Sequence, residues 1–343
     1  MNELKRELIA LEVIKTLKSR FDNFPEDTSD NRNAPFHEAF LEAFKVRIEK
    51  HVTDIPIFVS LASWMHGLNT TLGQSFFEHV AHILCDGEKR KFEGMFINQS
   101  QQSAVNDIIS SLKNNTRRPN LQQENDEVYS ILGNAEIEAP NFSADVYFEE
   151  TDKLVLIEVK TVKPNSDIFK EQKTKFLNGK AALKNKFPSK EIYFYLGFPF
   201  DPLHTEKCGY DKTRFLDYSV DFTKYFDPLE VLLADELWNF LSQENDTMER
   251  VLSIINKIAK PDFMEKFSFI NEPTNIEIDH RKYSQILNEW FLLRELKVTN
   301  NLETLRSLSI KQRSLQRILS QSLFDPKNEY KENRINTLLS HLS

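Results

Sequence analysis

Two acids and a lysine stand at the ends of two short apolar runs near the middle of this 343-residue chain. The segment reads ADVYFEETDKLVLIEVK and contains Asp145, then twelve residues, then Glu158 and Lys160. The runs VYF and LVLI are rich in β-branched and aromatic residues, which predicts two strands joined by a polar turn. Carboxylates and an amine at the ends of such strands are the groups that could bind a metal ion and act on water.

A hairpin with Thr151 and Asp152 at its tip would place Asp145 opposite Glu158, with Cβ atoms about 4.5–5.5 Å apart. Lys160 is two residues from Glu158 and therefore shares its strand face. A register different by one residue would turn one acid to the other face. Neighbouring carboxylates repel each other, and a divalent cation between them removes that repulsion. The pattern therefore predicts a metal site, with a surface hairpin carrying charged ends as the alternative.

A basic helix is predicted after the hairpin, from about Ser166 to Phe187, because apolar residues recur there at helical spacing. The stretch from Val159 to Lys190 holds nine lysines against two acids, whereas the whole chain carries a net charge of −8. This asymmetry favours a surface that faces phosphate, with a solvated lysine face as the alternative. Glu191–Phe198 predicts another strand, so that strand, helix and strand form a right-handed crossover.

A helix predicted before the hairpin, from Leu72 to about Leu84, carries Glu78 off its apolar stripe. Glu78 is either an ordinary exposed acid or a third carboxylate that supports the metal site. His79 and His82 are three residues apart, but with only Cys85 near them in sequence a zinc site is not favoured. We interpret His79 as a core residue.

These features occur along the chain in an order that resembles the PD-(D/E)XK nuclease superfamily: a helix glutamate, an aspartate, an E-x-K triplet, a basic helix and a strand. The resemblance covers roughly residues 72–202, with Ala144 in place of the proline of the motif, which many members also lack. More narrowly, Phe142–Asn165 and Ser75–Glu78 resemble the TdeIII family of type II restriction endonucleases. The implied fold is α/β, a mixed-sheet core flanked by helices, with helix-rich N- and C-terminal parts.

The resemblance implies a homodimeric, Mg²⁺-dependent endonuclease, for which Mn²⁺ can substitute, that cuts double-stranded DNA at a short palindromic site of the GGNCC type. By this resemblance, Asp145, Glu158 and the Val159 carbonyl would be metal ligands. Lys160 would serve the attacking water, and Glu78 would be the helix carboxylate among the catalytic residues. Oxygen ligands of this kind also suit magnesium on chemical grounds.

Basic side chains elsewhere are candidates for DNA contacts, each with a solvated surface as the alternative. They lie near or on the lysine helix, in a polar loop, and on a helix predicted from Ser307 to Leu323: Lys163, Lys170, Lys173, Lys184, Arg117, Arg118, Lys311, Arg313 and Arg317.

Composition argues against several classes of protein. Eight glycines, with neither a GxxxxGK[ST] nor a GxGxxG motif, disfavour a nucleotide cofactor. We find no apolar run long enough to span a membrane and no signal-peptide pattern at the N-terminus. Two distant cysteines, Cys85 and Cys208, suit a reducing cytoplasm.

Outside the core the patterns are mostly helical, which predicts three regions: an N-terminal helical region (1–70), a nuclease core (71–215) and a C-terminal helical region (216–343) for recognition or dimerisation. The predicted helices are residues 3–22, Phe36–His51, Pro228–Ser242, Thr247–Ile258 and Tyr283–Leu296, besides Ser307–Leu323.

Two other functions remain open at this stage. One is a repair nuclease that is non-specific or directed by DNA structure. The other is a DNA-binding protein of nuclease fold that does not cut, although intact Asp145, Glu158 and Lys160 argue against it.

Overall fold

The computed structural model describes residues 1–25, 41, 48, 50, 55–129, 134–161, 166–218, 221–310 and 312–342. Lys163 and Lys311 lie outside this described part of the chain, as does almost all of the helix predicted at Phe36–His51.

The chain forms two compact units. The first contains Phe77–Arg250 together with Met1, and the second combines Asn2–Phe76 with Val251–Ser343. The second unit thus draws on both ends of the chain. The division into three consecutive regions stays a prediction about the roles of those segments.

A five-stranded mixed sheet in the order β1-β4-β5-β6-β7 forms the centre of the first unit. Its strands are β1 (Glu88–Phe92), β4 (Phe142–Glu149), β5 (Lys153–Val159), β6 (Glu191–Phe198) and β7 (Val231–Leu233), and a separate pair joins β2 (Phe96–Ile97) to β3 (Ile137–Glu138). The pairs β1–β4 and β4–β5 are antiparallel, whereas β5–β6 and β6–β7 are parallel. The predicted mixed α/β architecture is confirmed.

The β4–β5 hairpin has the predicted register. Val146 pairs with Ile157 and Glu149 with Leu154, and the Glu150 N–H donates to the Lys153 carbonyl at 2.9 Å to close the turn. The four residues 154–157 of β5 are at most 1% exposed, because this strand is central in the sheet and covered on both faces. The hairpin is therefore a rigid support for the groups at its end.

Helices make up most of the remaining described structure. They are α1 (Glu3–Phe21), α2 (Ile55–Thr71), α3 (Phe77–Cys85), α4 (Gln99–Lys113), α5 (Leu121–Tyr129), α6 (Ser166–Lys186), α7 (Lys212–Asp217), α8 (Phe222–Tyr225), α9 (Asp235–Ser242), α10 (Thr247–Ile258), α11 (Phe263–Asn271), α12 (Asn275–Ile278), α13 (His280–Glu289), α14 (Leu293–Asn300), α15 (Leu302–Ser309), α16 (Arg313–Leu319) and α17 (Glu332–Ser340).

Four predicted helices differ from the structure. Leu72–Leu84 starts with a π-helical turn before α3, and Pro228–Ser242 is a 3₁₀ turn, then β7, then α9. The apolar run of β7 is recruited by β6 as an added parallel strand, which local sequence does not reveal. Tyr283–Leu296 is interrupted near Phe291, whose φ is +58°, and Ser307–Leu323 is two helices, α15 and α16.

Helix α6 packs tightly against the sheet. Phe176 lies 5.1 Å from Phe194 of β6 between ring centroids. A Cβ added at Gly179 would lie 2.5 Å from the Phe194 ring, so only glycine permits this approach. The close packing fixes the position of the basic helix relative to β5 and β6.

The described part of the second unit is helical. Its C-terminal helices share a core cluster that contains Val298, Leu305, Leu315, Ile335 and Leu338. A buried ion pair between Arg334 and Glu295, at 2.7 Å, joins α17 to α14. In the described residues, no helix combines the length and apolarity needed to cross a membrane.

Candidate active site

The site is assembled in the first unit from five secondary structure elements and the residue after one of them. Asp145 and Glu158 come from the β4–β5 hairpin, Lys160 follows β5, Glu78 comes from α3, Lys89 from β1 and Lys175 from α6.

Glu158 is held between two lysines. Lys160 Nζ lies 2.8 Å from Glu158 Oε1, and Lys175 Nζ lies 2.6 Å from Oε2. The Glu158 side chain is only 11% exposed. Burial by itself would raise the pKa of Glu158, but Lys175 and Lys160 outweigh it and hold that pKa below its usual range. Glu158 is therefore an ionised, oriented carboxylate at neutral pH.

Asp145 is fixed by the end of the neighbouring strand. The Val159 N–H donates to Asp145 Oδ2 at 3.0 Å, and Lys89 Nζ lies 3.2 Å from Oδ1. His82 Nε2 lies 2.7 Å from the Asp145 carbonyl oxygen, so this ring nitrogen carries the hydrogen. The Val159 N–H and the His82 ring hold Asp145 in place next to Glu158, as the hairpin register predicts.

Glu78 is buried and lies beside Asp145. Its side chain is 11% exposed, and Lys89 Nζ lies 3.0 Å from Glu78 Oε2, so that Lys89 bridges the two acids. Burial alone would lower the pKa of Lys89, but the contacts with Glu78 and Asp145 raise it above its usual value. The reading of Glu78 as an ordinary exposed acid is therefore wrong, and the structure brings it to the hairpin acids.

The donor chemistry of this site fits a hard cation. Carboxylate oxygens of Glu78, Asp145 and Glu158 are the ligand type that Mg²⁺ prefers. Within the described residues, no three acidic, histidine or cysteine side chains are close enough together to share one ion. Lysine ammonium groups contact each of the three carboxylates instead. In this structure the lysines supply the positive charge beside the carboxylates that a bound metal ion would also supply.

Sequence reasoning missed three groups that contact the acids: Lys175, Lys89 and His82. Lys175 is one of several lysines on α6, and helical spacing does not say which of them meets Glu158. Lys89 lies in the strand EKRKF, whose charged residues lack the apolar alternation that predicts a strand. His82 falls off the apolar stripe of α3, which is compatible with a contact to the hairpin but does not indicate one.

The prediction that Lys173 contacts phosphate is wrong. Its side chain is fully buried, and its Nζ lies 2.5 Å from Glu124 and 2.6 Å from Glu230. Lys180, about two turns further along α6, is also buried and pairs with Glu230 at 3.1 Å. These lysines cannot face solvent because α6 lies against α5 and the Glu230 turn on that side.

The other predicted DNA contacts have different environments. Lys170 is exposed, whereas Lys184 is half-buried and donates to the Lys190 carbonyl at 2.9 Å. Arg117 pairs with Glu127 at 3.0 Å, and Arg118 is exposed. Arg313 and Arg317 are exposed on α16 in the second unit. Contact of these residues with DNA stays a prediction.

The mixed sheet and the acid–lysine set on its hairpin are consistent with the restriction-endonuclease-like class of α/β proteins. A family model described as type II restriction endonuclease, HinfI, matches residues 1–259. The chain is also 44% identical over 349 aligned residues to the type II restriction enzyme MjaII of Methanocaldococcus jannaschii, covering 96% of this chain and 94% of that protein. The chain therefore belongs to the HinfI family of type II restriction endonucleases and is a site-specific deoxyribonuclease. The narrower resemblance to the TdeIII family is not confirmed by these matches.

Proposed function

We propose that this restriction endonuclease hydrolyses DNA at the end of the β4–β5 hairpin in a Mg²⁺-dependent reaction, within a PD-(D/E)XK-type core. The observation that carries the proposal is the arrangement of the acids: Lys89 joins Glu78 to Asp145, and the hairpin register sets Asp145 beside the end of β5, where Lys160 contacts Glu158. The rest of the chemistry follows from what these groups can do.

Asp145, Glu158 and the Val159 carbonyl would hold the ion, with Glu78 as the additional carboxylate. When bound, a magnesium ion lowers the pKa of water and neutralises charge that develops on the phosphate. Lys160 shares the Glu158 face and has its amine at the site, so it would hold the attacking water by a hydrogen bond. Lys175 would keep Glu158 ionised and correctly turned, since it contacts the other carboxylate oxygen.

We further propose that the enzyme acts as a homodimer on a short palindromic site. A two-fold symmetric sequence presents the same bases to two copies of one chain related by a two-fold axis. The GGNCC type of site is the expectation carried over from the TdeIII resemblance.

Plasmid digestion tests the reaction and its specificity. With Mg²⁺, the purified protein should give discrete fragments, and sequencing their ends should return one palindromic sequence. EDTA should stop cutting, and added Mg²⁺ or Mn²⁺ should restore it. A smear instead of bands would contradict site specificity, and cutting that persists in EDTA would contradict metal dependence. Fragment ends that map to another palindrome would overturn only the GGNCC expectation.

A further inference from the structure

An open pocket of about 520 Å³ lies directly beside the candidate active site. One side is α6, through Lys170, Gln172 and Lys175, and the other is the segment that leads into β4, through Asn141. All of these residues belong to the first unit. We call this cavity the α6 pocket.

The α6 pocket shares a residue with the candidate active site. Lys175 lines the pocket, and its ammonium group lies 2.6 Å from Glu158 Oε2. On the opposite side, Asn141 precedes β4, the strand that carries Asp145. A strand of DNA whose scissile phosphate lies at Asp145 and Glu158 therefore has an adjoining open space for a neighbouring group.

The groups around the pocket include hydrogen-bond donors that suit an anion. Lys170 is exposed at the pocket, and Asn141 is exposed across from it. The pocket also contains one acid, Glu171, and Lys175 is already paired with Glu158, so Lys170 is the pocket cation that we assign to a ligand. Amines and side-chain amides are the usual protein partners of phosphate oxygens in nucleic acids.

A second observation at the α6 pocket is an unsatisfied polar atom on Gln172. Its Oε1 is buried and has no hydrogen-bond partner in the described structure. A buried acceptor without a donor costs free energy. The Gln172 amide oxygen is therefore not held by a donor within the described fold.

We propose that the α6 pocket binds a phosphate of the cleaved strand next to the scissile phosphate, with Lys170 and Asn141 as its contacts from the two sides. The proposal rests on the proposed function, because it requires the hairpin to be the cutting site. It assigns Lys170 and Asn141 as positioning residues, since they act on the strand and not on the reacting atoms.

Neutral phosphates placed one at a time in the substrate provide the test. A duplex with the mapped cleavage site is prepared with single methylphosphonates at each position flanking the scissile bond. Binding is measured with Ca²⁺ in place of Mg²⁺. We expect Lys170→Gln and Asn141→Ala each to weaken binding of the unmodified duplex. When the methylphosphonate replaces the phosphate that the pocket binds, neither substitution should weaken binding further, and this position should be the same for both variants. Lys186→Gln and Asn106→Ala are the matched controls, because both residues are exposed on helices outside the pocket.

We expect Lys170→Gln to weaken binding of the unmodified duplex and to lower the slope of log affinity against log salt by roughly one. The controls should keep the wild-type response to every methylphosphonate. The proposal is refuted if the effects of Lys170→Gln and Asn141→Ala disappear at different methylphosphonate positions, or at no position. Wild-type cleavage of the same duplex, and its loss in Asp145→Ala, test the proposed function separately, so the two failures are distinguishable.

Discussion

Removal of the Asp145 carboxylate should abolish cleavage without unfolding the protein. Asp145→Ala deletes a proposed metal ligand, but it also removes a negative charge close to Glu158, so the fold should survive. DNA binding should persist because it depends on phosphate and base contacts elsewhere. We expect the rate in a single-turnover cleavage assay to fall by several orders of magnitude, since the ion supplies both nucleophile and charge relief.

Asp152→Ala is the matched control, because Asp152 is an exposed aspartate at the tip of the same hairpin. It should cut at the wild-type rate. A folded Asp145→Ala protein that cuts as fast as this control would refute the assignment of the site.

Lys175 should matter through Glu158. Lys175→Gln leaves Lys160 as the remaining cation on that carboxylate, so Glu158 becomes easier to protonate and less well oriented. Partners that orient a metal ligand typically change activity or metal affinity by about 10–100-fold. We therefore expect a higher Mg²⁺ requirement and a slower cut in a titration of cleavage rate against Mg²⁺. Lys186→Gln, on an exposed part of the same helix, should leave the titration unchanged. If the two variants give identical titrations, Lys175 does not act on the site through Glu158.

At the scale of elements, a buried ionic cluster holds α6 against its neighbours. Lys173 contacts Glu124 and Glu230, and Lys180 contacts Glu230. Glu230→Gln removes one charge and leaves the lysines with less compensation in the interior. Breaking a buried pair in this way costs about 3–5 kcal/mol of unfolding free energy. Urea denaturation should detect it, whereas Glu88→Gln, in an exposed pair with Arg90, should cost less than about 1 kcal/mol.

The effect of Glu230→Gln should also depend on pH. Burial favours a higher pKa for Glu230, but Lys180 and Lys173 outweigh it and lower the pKa below its ordinary value of 4.5. A carboxylate with a lowered folded-state pKa adds stability above its unfolded pKa and loses it as the pH falls through the folded value. The stability difference between wild type and Glu230→Gln should therefore be largest at neutral pH and shrink below about pH 4.5. A difference that stays constant from pH 7 to the acid limit of folding would contradict this assignment.

At the scale of the whole molecule, the palindromic target predicts a two-fold assembly. Light scattering on the protein bound to its duplex should give twice the 40.2 kDa of one chain, plus one DNA. The free protein at low concentration provides the comparison. One chain per palindromic duplex at saturation, with both strands cut in one binding event, would rule out the dimer.

Much of the site could be predicted from local sequence. A short polar turn separates two continuous apolar runs, so once its tip is placed at Thr151 and Asp152 the register that sets Asp145 against Glu158 follows from the chain itself. The strand at Glu191–Phe198 and the helix at Thr247–Ile258 were predicted with the bounds they have. Strand β1 could not be predicted, because its charged residues are stabilised by pairing with β4 and not by local preference.

Local sequence is enough to show that α6 is a lysine-rich helix and that an E-x-K triplet ends the strand before it. The role of each lysine depends on how the chain packs in three dimensions. Lys173 and Lys175 differ by two positions and so point about 200° apart around the helix axis. Lys173 enters the interior and meets Glu124 and Glu230, while Lys175 reaches Glu158 at the site. Their partners are distant in sequence, and no local pattern encodes which face of a helix those partners will cover.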